Sequence, residues 1–209
     1  KVGPLAGHVL TNTTNGAANL VFVCVNNWLG LQVGDVSSGK VVVTARAPVE
    51  KDAQPGHKAD VSHGISMTAY ETEVLVVDQV RSGVHVFDVS GLPESPPVWE
   101  QYIDTHDGNE QDAKGKYLYG ETGIVGQPGW IMSSFDGRSL YPETGEIIDV
   151  AAKQVIGNLI SAIGNYVHSR FALEVDVRDG MGVRDGDQPG VGRIGVEQPG
   201  ASAAAGGRF

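Results

Sequence analysis

Apolar and polar positions along this chain recur in one figure: an apolar strand, a short turn, a second strand closing on Asp, then a polar turn. The first copy runs from Leu20 through Val25 to Leu31-Gln32-Val33-Gly34-Asp35 and the turn Val36-Ser37-Ser38-Gly39-Lys40. The second runs from Val74-Leu75-Val76-Val77-Asp78 to Gly83-Val84-His85-Val86-Phe87-Asp88, and a shortened third from Ser139-Leu140-Tyr141-Pro142 to Glu146-Ile147-Ile148-Asp149. A strand pair of this size cannot bury its own apolar face, so the copies must pack on one another. The expected fold class is all-β, built of repeated antiparallel units.

The pattern divides the chain. Residues 1–19 are polar and rich in Gly, Asn and Thr, a lead-in with a weak strand at His8-Val9-Leu10. Clear units are expected at about 20–47, 63–103 and 127–160, separated by a polar loop at 48–62 and an acidic, glycine-rich stretch at 104–126. A closing hairpin is expected over 170–194, because Phe171 to Val177 alternates with period two and Arg178-Asp179-Gly180 supplies a turn. Repeat units therefore occupy 1–196, and 197–209, with Ala203-Ala204-Ala205-Gly206-Gly207, is expected to be a disordered tail.

The closing Asp residues, 35, 88 and 149, are 53 and 61 residues apart. A four-stranded propeller blade takes roughly 40–50 residues, so each step fits one blade plus an inserted loop. The insertions fall before His63 and before Gln127, at equivalent points of the repeat, which places both on one face. The Asp residues themselves fit tight turns, where a carboxylate accepts hydrogen bonds from its own backbone amides.

In detail the copies resemble the YVTN-type β-propeller repeat, with Val23 to Lys40 as the clearest match. His63-Gly64-Ile65 is similar to the His-Gly opening of an innermost strand, and Phe135-Asp136-Gly137-Arg138 to the Asp-Gly-Lys/Arg turn of such blades. Gln127 to Ile131, Gly186 to Gln188 and Gly190 to Arg193 are similar to C-terminal segments of the group. The second unit departs from it, with Ala69-Tyr70-Glu71-Thr72-Glu73 where the family writes Pro-Asp-Gly-Lys, and 104–126 is longer than usual. The resemblance implies blades of four-stranded antiparallel sheets, about seven to a closed ring. Three clear units imply an incomplete or truncated ring, with self-association or missing sequence as its consequence, since an open arc leaves two faces without neighbours. It also implies an extracellular or periplasmic location, although the chain shows no signal peptide and begins at Lys1, a start that suggests processing or truncation.

Composition narrows the function classes. With 209 residues and 41% hydrophobic positions the chain can bury a sizeable core. Its net charge of -10 argues against a nucleic-acid or anionic-membrane partner, and no apolar run reaches the ~20 residues of a membrane span. The lone Cys24 alternates with Phe22 and reads as a small buried hydrophobe.

Candidate chemistry gathers at the expected strand starts. His57, Asp60 and His63 share one short loop and are the candidate ligands for a metal, although their spacing is not the i, i+4 arrangement of a helical site. Gln127 and Trp130 open the third unit, where Trp130 is either a stacking platform for a sugar or an aromatic packed between blades. His85, between Val84 and Val86, reads as a packed or surface residue. The acidic stretch lacks the Asp-x-Asp-x-Asp-Gly calcium pattern, and no nucleophile elbow, phosphate loop or haem attachment occurs, so no cofactor is expected. The leading expectation is a binding module that recognises a protein or glycan through His57, Asp60, His63, Gln127 and Trp130 on its loop-bearing face. The alternative is a lactonase- or polysaccharide-lyase-like enzyme at a channel mouth, with His63 as base or ligand.

Overall fold

A computed structural model of the chain describes residues 9–14, 19–25, 28–48, 64–78, 81–105, 129–134, 136–164 and 174–186. These residues form fourteen strands and no helix. The first sheet holds β1 (Val9–Thr14), β2 (Leu20–Val25), β3 (Trp28–Asp35) and β4 (Lys40–Arg46). The second holds β5 (Ile65–Met67), β6 (Glu73–Asp78), β7 (Gly83–Asp88) and β8 (Val98–Asp104). The third holds β9 (Ile131–Ser133), β10 (Ser139–Pro142), β11 (Glu146–Asp149) and β12 (Gln154–Asn158). In each sheet the strands lie side by side in chain order with antiparallel pairing. A separate hairpin pairs β13 (Glu174–Arg178) with β14 (Met181–Gly186) across Asp179 and Gly180, both at positive φ, the backbone of a two-residue hairpin turn. The described sheets do not close into a ring.

Strand β1 is a full member of the first sheet, paired with β2 from Thr14↔Val21 to Val9↔Val25, where the sequence pattern placed only a lead-in and a weak strand at residues 8–10. Its Val-Leu-Thr-Asn-Thr-Thr composition carries little apolar signal; pairing to an apolar neighbour makes it a strand. The tail 197–209 lies outside the described residues, as do nearly all of the two expected insertions.

The three sheets stack through two apolar layers. Phe22, Cys24, Leu31 and Val33 of the first sheet meet Ile65, Met67, Val74, Val76 and Phe87 of the second. Leu75, Val77, Val84, Val86 and Ile103 of the second meet Ile131, Leu140 and Ile148 of the third. Side chains of a strand alternate between faces, so Val74 and Val76 point one way, Leu75 and Val77 the other, and β6 is buried from Val74 to Asp78. The unbroken apolar run of β6 is the consequence. The outermost strands β4 and β12 alternate between exposed and half-buried positions because they are covered on one side. Each fully buried Leu, Ile or Phe side chain contributes about 1.5–3 kcal/mol relative to exposure.

Polar contacts align the second and third sheets at two places, between their first strands and among their outer strands and turns. The short first strands run side by side, β1 against β5 and β5 against β9. Between the last two, Ser133 Oγ donates to the Met67 carbonyl at 2.9 Å, which leaves Ser66 Oγ to donate to Ser133 Oγ at 2.7 Å. At the second place, Lys153 Nζ in the β11–β12 turn reaches Glu73 Oε1 at 2.5 Å and Glu100 Oε2 at 3.3 Å, and Gln101 donates to the Lys153 carbonyl at 3.2 Å.

The turns repeat as well, including where the letters differ. Gly137 in the β9–β10 turn has φ of +70° and Glu71 in the β5–β6 turn has φ of +60°, and their amides donate to Ser134 and Thr68 carbonyls respectively. Ala69-Tyr70-Glu71-Thr72 therefore makes the turn that Asp136-Gly137-Arg138 makes, with a side chain in the left-handed region that glycine favours. Likewise Lys153 (φ +53°) stands where Gly39 (φ +64°) stands, each donating its amide to an Asp carbonyl four residues back.

Two substitutions test these turns. Glu71→Gly relieves left-handed strain and raises the free energy of unfolding by about 0.5–1 kcal/mol in urea titration. Gly137→Ala lowers it by about 2 kcal/mol, because the new methyl also collides with the Ala69 side chain, whereas Gly39→Ala, with the same sign of φ and open space around it, costs only about 1 kcal/mol.

Candidate functional site

Antiparallel pairing sets what each end of the stack carries. Ile65 pairs with Val76, Asp78 with Gly83 and Gly83 with Asp104, so the start of β5, the β6–β7 turn and the end of β8 share one end of the second sheet. The β4–β5 connection, 47–64, arrives at this end, and the β8–β9 connection, 105–130, both leaves from it and returns to it. The starts of β5 and β9 touch there: a Cβ added to Gly64 would press on the Gly129 carbonyl and the Trp130 backbone. Trp130 is half-buried at this junction and its carbonyl accepts from the Glu143 amide at 2.7 Å. His57, Asp60, His63 and Gln127 lie outside the described residues. Among the described residues no group of three or more His, Cys, Asp or Glu side chains is arranged to hold a metal ion.

The repeated turn carboxylates sit at the opposite end and are engaged with their own turns. Asp35 Oδ1 accepts from the Ser37 amide at 2.8 Å and its hydroxyl at 2.7 Å, while Oδ2 accepts from Ser38 Oγ at 2.9 Å. Asp88 accepts from the Ser90 amide at 2.8 Å and Asp149 from the Ala152 amide at 2.7 Å. The hydroxyls of Ser37 and Ser38 hold the Asp35 carboxyl below its usual range, and Ser90 does the same for Asp88. A narrow seam with no room for a water molecule lies at this far end between the second and third sheets, lined by Thr68, Glu73, Leu140 and Lys153 among others. Burial pushes the Glu73 carboxyl up against the pull of Lys153, and the hydrogen bond to Glu73 pushes the Lys153 ammonium up.

Inside the stack, the position three residues before each turn Asp is polar and buried: Gln32, His85 and Glu146. Each answers the demand for a partner differently. Gln32 Nε2 donates to Thr44 Oγ1 at 3.4 Å, and its Oε1 has no hydrogen-bond partner among the described residues. Glu146 Oε2 accepts from the Thr144 hydroxyl. His85, 1% exposed, sits in a relay: Trp99 Nε1 donates to His85 Nδ1 at 3.1 Å, and His85 Nε2 lies 3.1 Å from Asp78 Oδ2. Because Nδ1 accepts, Nε2 carries the proton and donates to Asp78, so the contacts select the tautomer.

Asp78 also accepts from the Arg81 amide at 3.0 Å and from Arg81 Nη1 at 3.1 Å, and Tyr102 Oη donates to the Arg81 carbonyl at 2.5 Å. Burial pushes the Asp78 carboxyl up, but the hydrogen bonds from His85 and Arg81 outweigh it and the net direction is down. Burial also pushes the Tyr102 phenol well above its ordinary range. The relay shapes the β6–β7 turn at the loop-bearing end, yet its imidazole is closed to a substrate. The recurring three-residue offset from the turn Asp was a signal in the sequence for these positions; the partners Trp99 and Asp78 come from neighbouring strands.

No family model matches the chain, and no curated protein matches it. Among solved structures the chain is similar to Kuenenia stuttgartiensis hydrazine synthase, with a TM-score of 0.57 and 13% identity over 83% of this chain. The match takes in 40% of that chain, so the present chain spans well under half of its length. At this identity the likeness speaks for the fold alone.

His85→Ala takes one hydrogen-bond donor from the buried Asp78 carboxylate, which keeps Arg81, and the acceptor from the half-buried Trp99 indole N–H, and lowers stability by about 2–3 kcal/mol, whereas Trp99→Phe, which removes one donor, lowers it by about 1–2 kcal/mol. Since the folded Asp78 carboxyl titrates below its unfolded value, its contribution is complete above the ordinary carboxylate range and is lost as pH falls through the lowered value. Asp78→Asn therefore flattens the acid limb of a stability-against-pH curve measured between pH 6 and pH 2.

Proposed function

We propose that the chain is an arc of β-propeller blades, of the kind the YVTN-type resemblance implies, serving as a binding module for a protein or glycan partner. The partner is read by the 47–64 and 105–130 connections at the end where β5 and β9 begin. The observation that carries this reading is the convergence of both long connections on that one end, beside Trp130. Three four-stranded meanders lying side by side with their first strands adjacent support the arc, as radially repeated sheets are joined in this way. Loops on a rigid scaffold are where recognition concentrates. The most elaborate polar cluster of the described sheets, around His85, is sealed and serves structure, which favours recognition over turnover.

Screening the full chain on a glycan array and a displayed peptide library tests the reading. A ligand found there loses binding at least about tenfold when 106–128 is replaced by a short Gly-Ser linker, while Asp35→Asn at the opposite end leaves it unchanged. Binding indifferent to replacement of both connections overturns the proposal, as does turnover of lactones or uronic-acid polymers that is lost in His63→Ala.

A further inference from the structure

The two partners of the His85 imidazole set different demands on its protons. The Trp99 indole can only donate, so Nδ1, 3.1 Å from Trp99 Nε1, must present a lone pair. The Asp78 carboxylate, 3.1 Å from Nε2, accepts from the neutral and the charged ring alike. A second proton settles on Nδ1, where it meets the indole N–H donor to donor, and the contact between the two rings is lost. Other groups around the imidazole can hold it once it is charged. The Tyr102 ring lies 5.0 Å away between centroids, within the range at which an aromatic ring attracts a cation. Asp104 adds negative charge beside Tyr102, and Arg81, which opposes a second cation, is itself paired with Asp78 Oδ2. His85 shares the Phe87 side of β7, where the first sheet brings apolar side chains and the Cys24 thiol to the common layer.

The consequence falls on Trp99. Its half-buried side chain, like Val43 and Ala45 of β4, packs against the apolar layer between the first and second sheets. We propose that His85 is an acid-operated latch. With Nδ1 bare it holds the Trp99 indole in the joint between the two sheets; when Nδ1 takes a proton from solvent it releases the indole, while Asp78 and Tyr102 keep the imidazolium in place. Strand β8 runs on from Trp99 to Asp104, where the 105–130 connection begins, so the latch acts on the strand that leads to the loop-bearing end. It stands apart from the binding role proposed above and survives its failure.

Nitrogen-15 spectra of the full chain, recorded as pH is lowered from about 8 to about 5, the span in which histidine changes charge, test the latch. The Trp99 indole resonance is identified by its absence in Trp99→Phe. His85 Nδ1 is expected to read as a bare acceptor at the upper end and as a protonated nitrogen at the lower. The solvent protection of the Trp99 indole hydrogen is expected to fall at least about tenfold with the same midpoint, while β6 and β7 amides keep theirs. In His85→Gln, which offers an uncharged acceptor and donor at this position, the indole is expected to be indifferent to pH; the readings on the unsubstituted chain stand without this variant. An Nδ1 that stays bare across the range overturns the proposal, as does an indole that stays protected after Nδ1 is charged. So does release that coincides with loss of β6 and β7 protection, which is acid unfolding of the whole stack.

Discussion

A sheet that is apolar on both faces has to be covered twice, and the second sheet is such a sheet. Val74 and Val76 need the first sheet and Leu75 and Val77 need the third, so neither neighbour can leave without exposing one side of β6. This requirement sets the side-by-side stack, and the stack in turn sets which loops share an end. The polar fastenings between sheets, Ser66 with Ser133 and Lys153 with Glu73 and Glu100, choose the alignment of surfaces that apolar burial has already brought together.

Against that apolar background the buried polar residues stand out. A buried donor or acceptor without a partner is penalised by about 1–3 kcal/mol, so Gln32, His85 and Glu146 each demand a local answer. The second sheet gives the fullest one, because Trp99 and Asp78 occupy both ring nitrogens of His85 and Arg81 completes the carboxylate. A relay satisfied at every point specifies one arrangement of three strands and a turn. The same contacts that satisfy the imidazole also shut it away from solvent.

Much of this was legible in the chain's letters. The period-two strands, the turn Asp residues and the equivalence of the two long connections follow from local pattern, which the backbone obeys because each strand has a face to bury. Strand β1 was not, since its Thr- and Asn-rich sequence earns its place through pairing with β2. The relay was not, because alternation says which face His85 takes but not that an indole fourteen residues later will meet it. Of the candidate site, Trp130 is placed at a junction of strand starts, and its companions fall in connections whose shape no local pattern dictates.

The turn at Gly137 carries a further consequence. Its backbone rests on Ala69, while the equivalent turn of the preceding sheet accommodates Glu71 in the same left-handed conformation. A tandem duplication that copied the second unit into the third position would bring a glutamate side chain onto Ala69, so the present units are no longer interchangeable. The stack is therefore directional at this point, with the β9–β10 turn fitted to the β5–β6 turn before it.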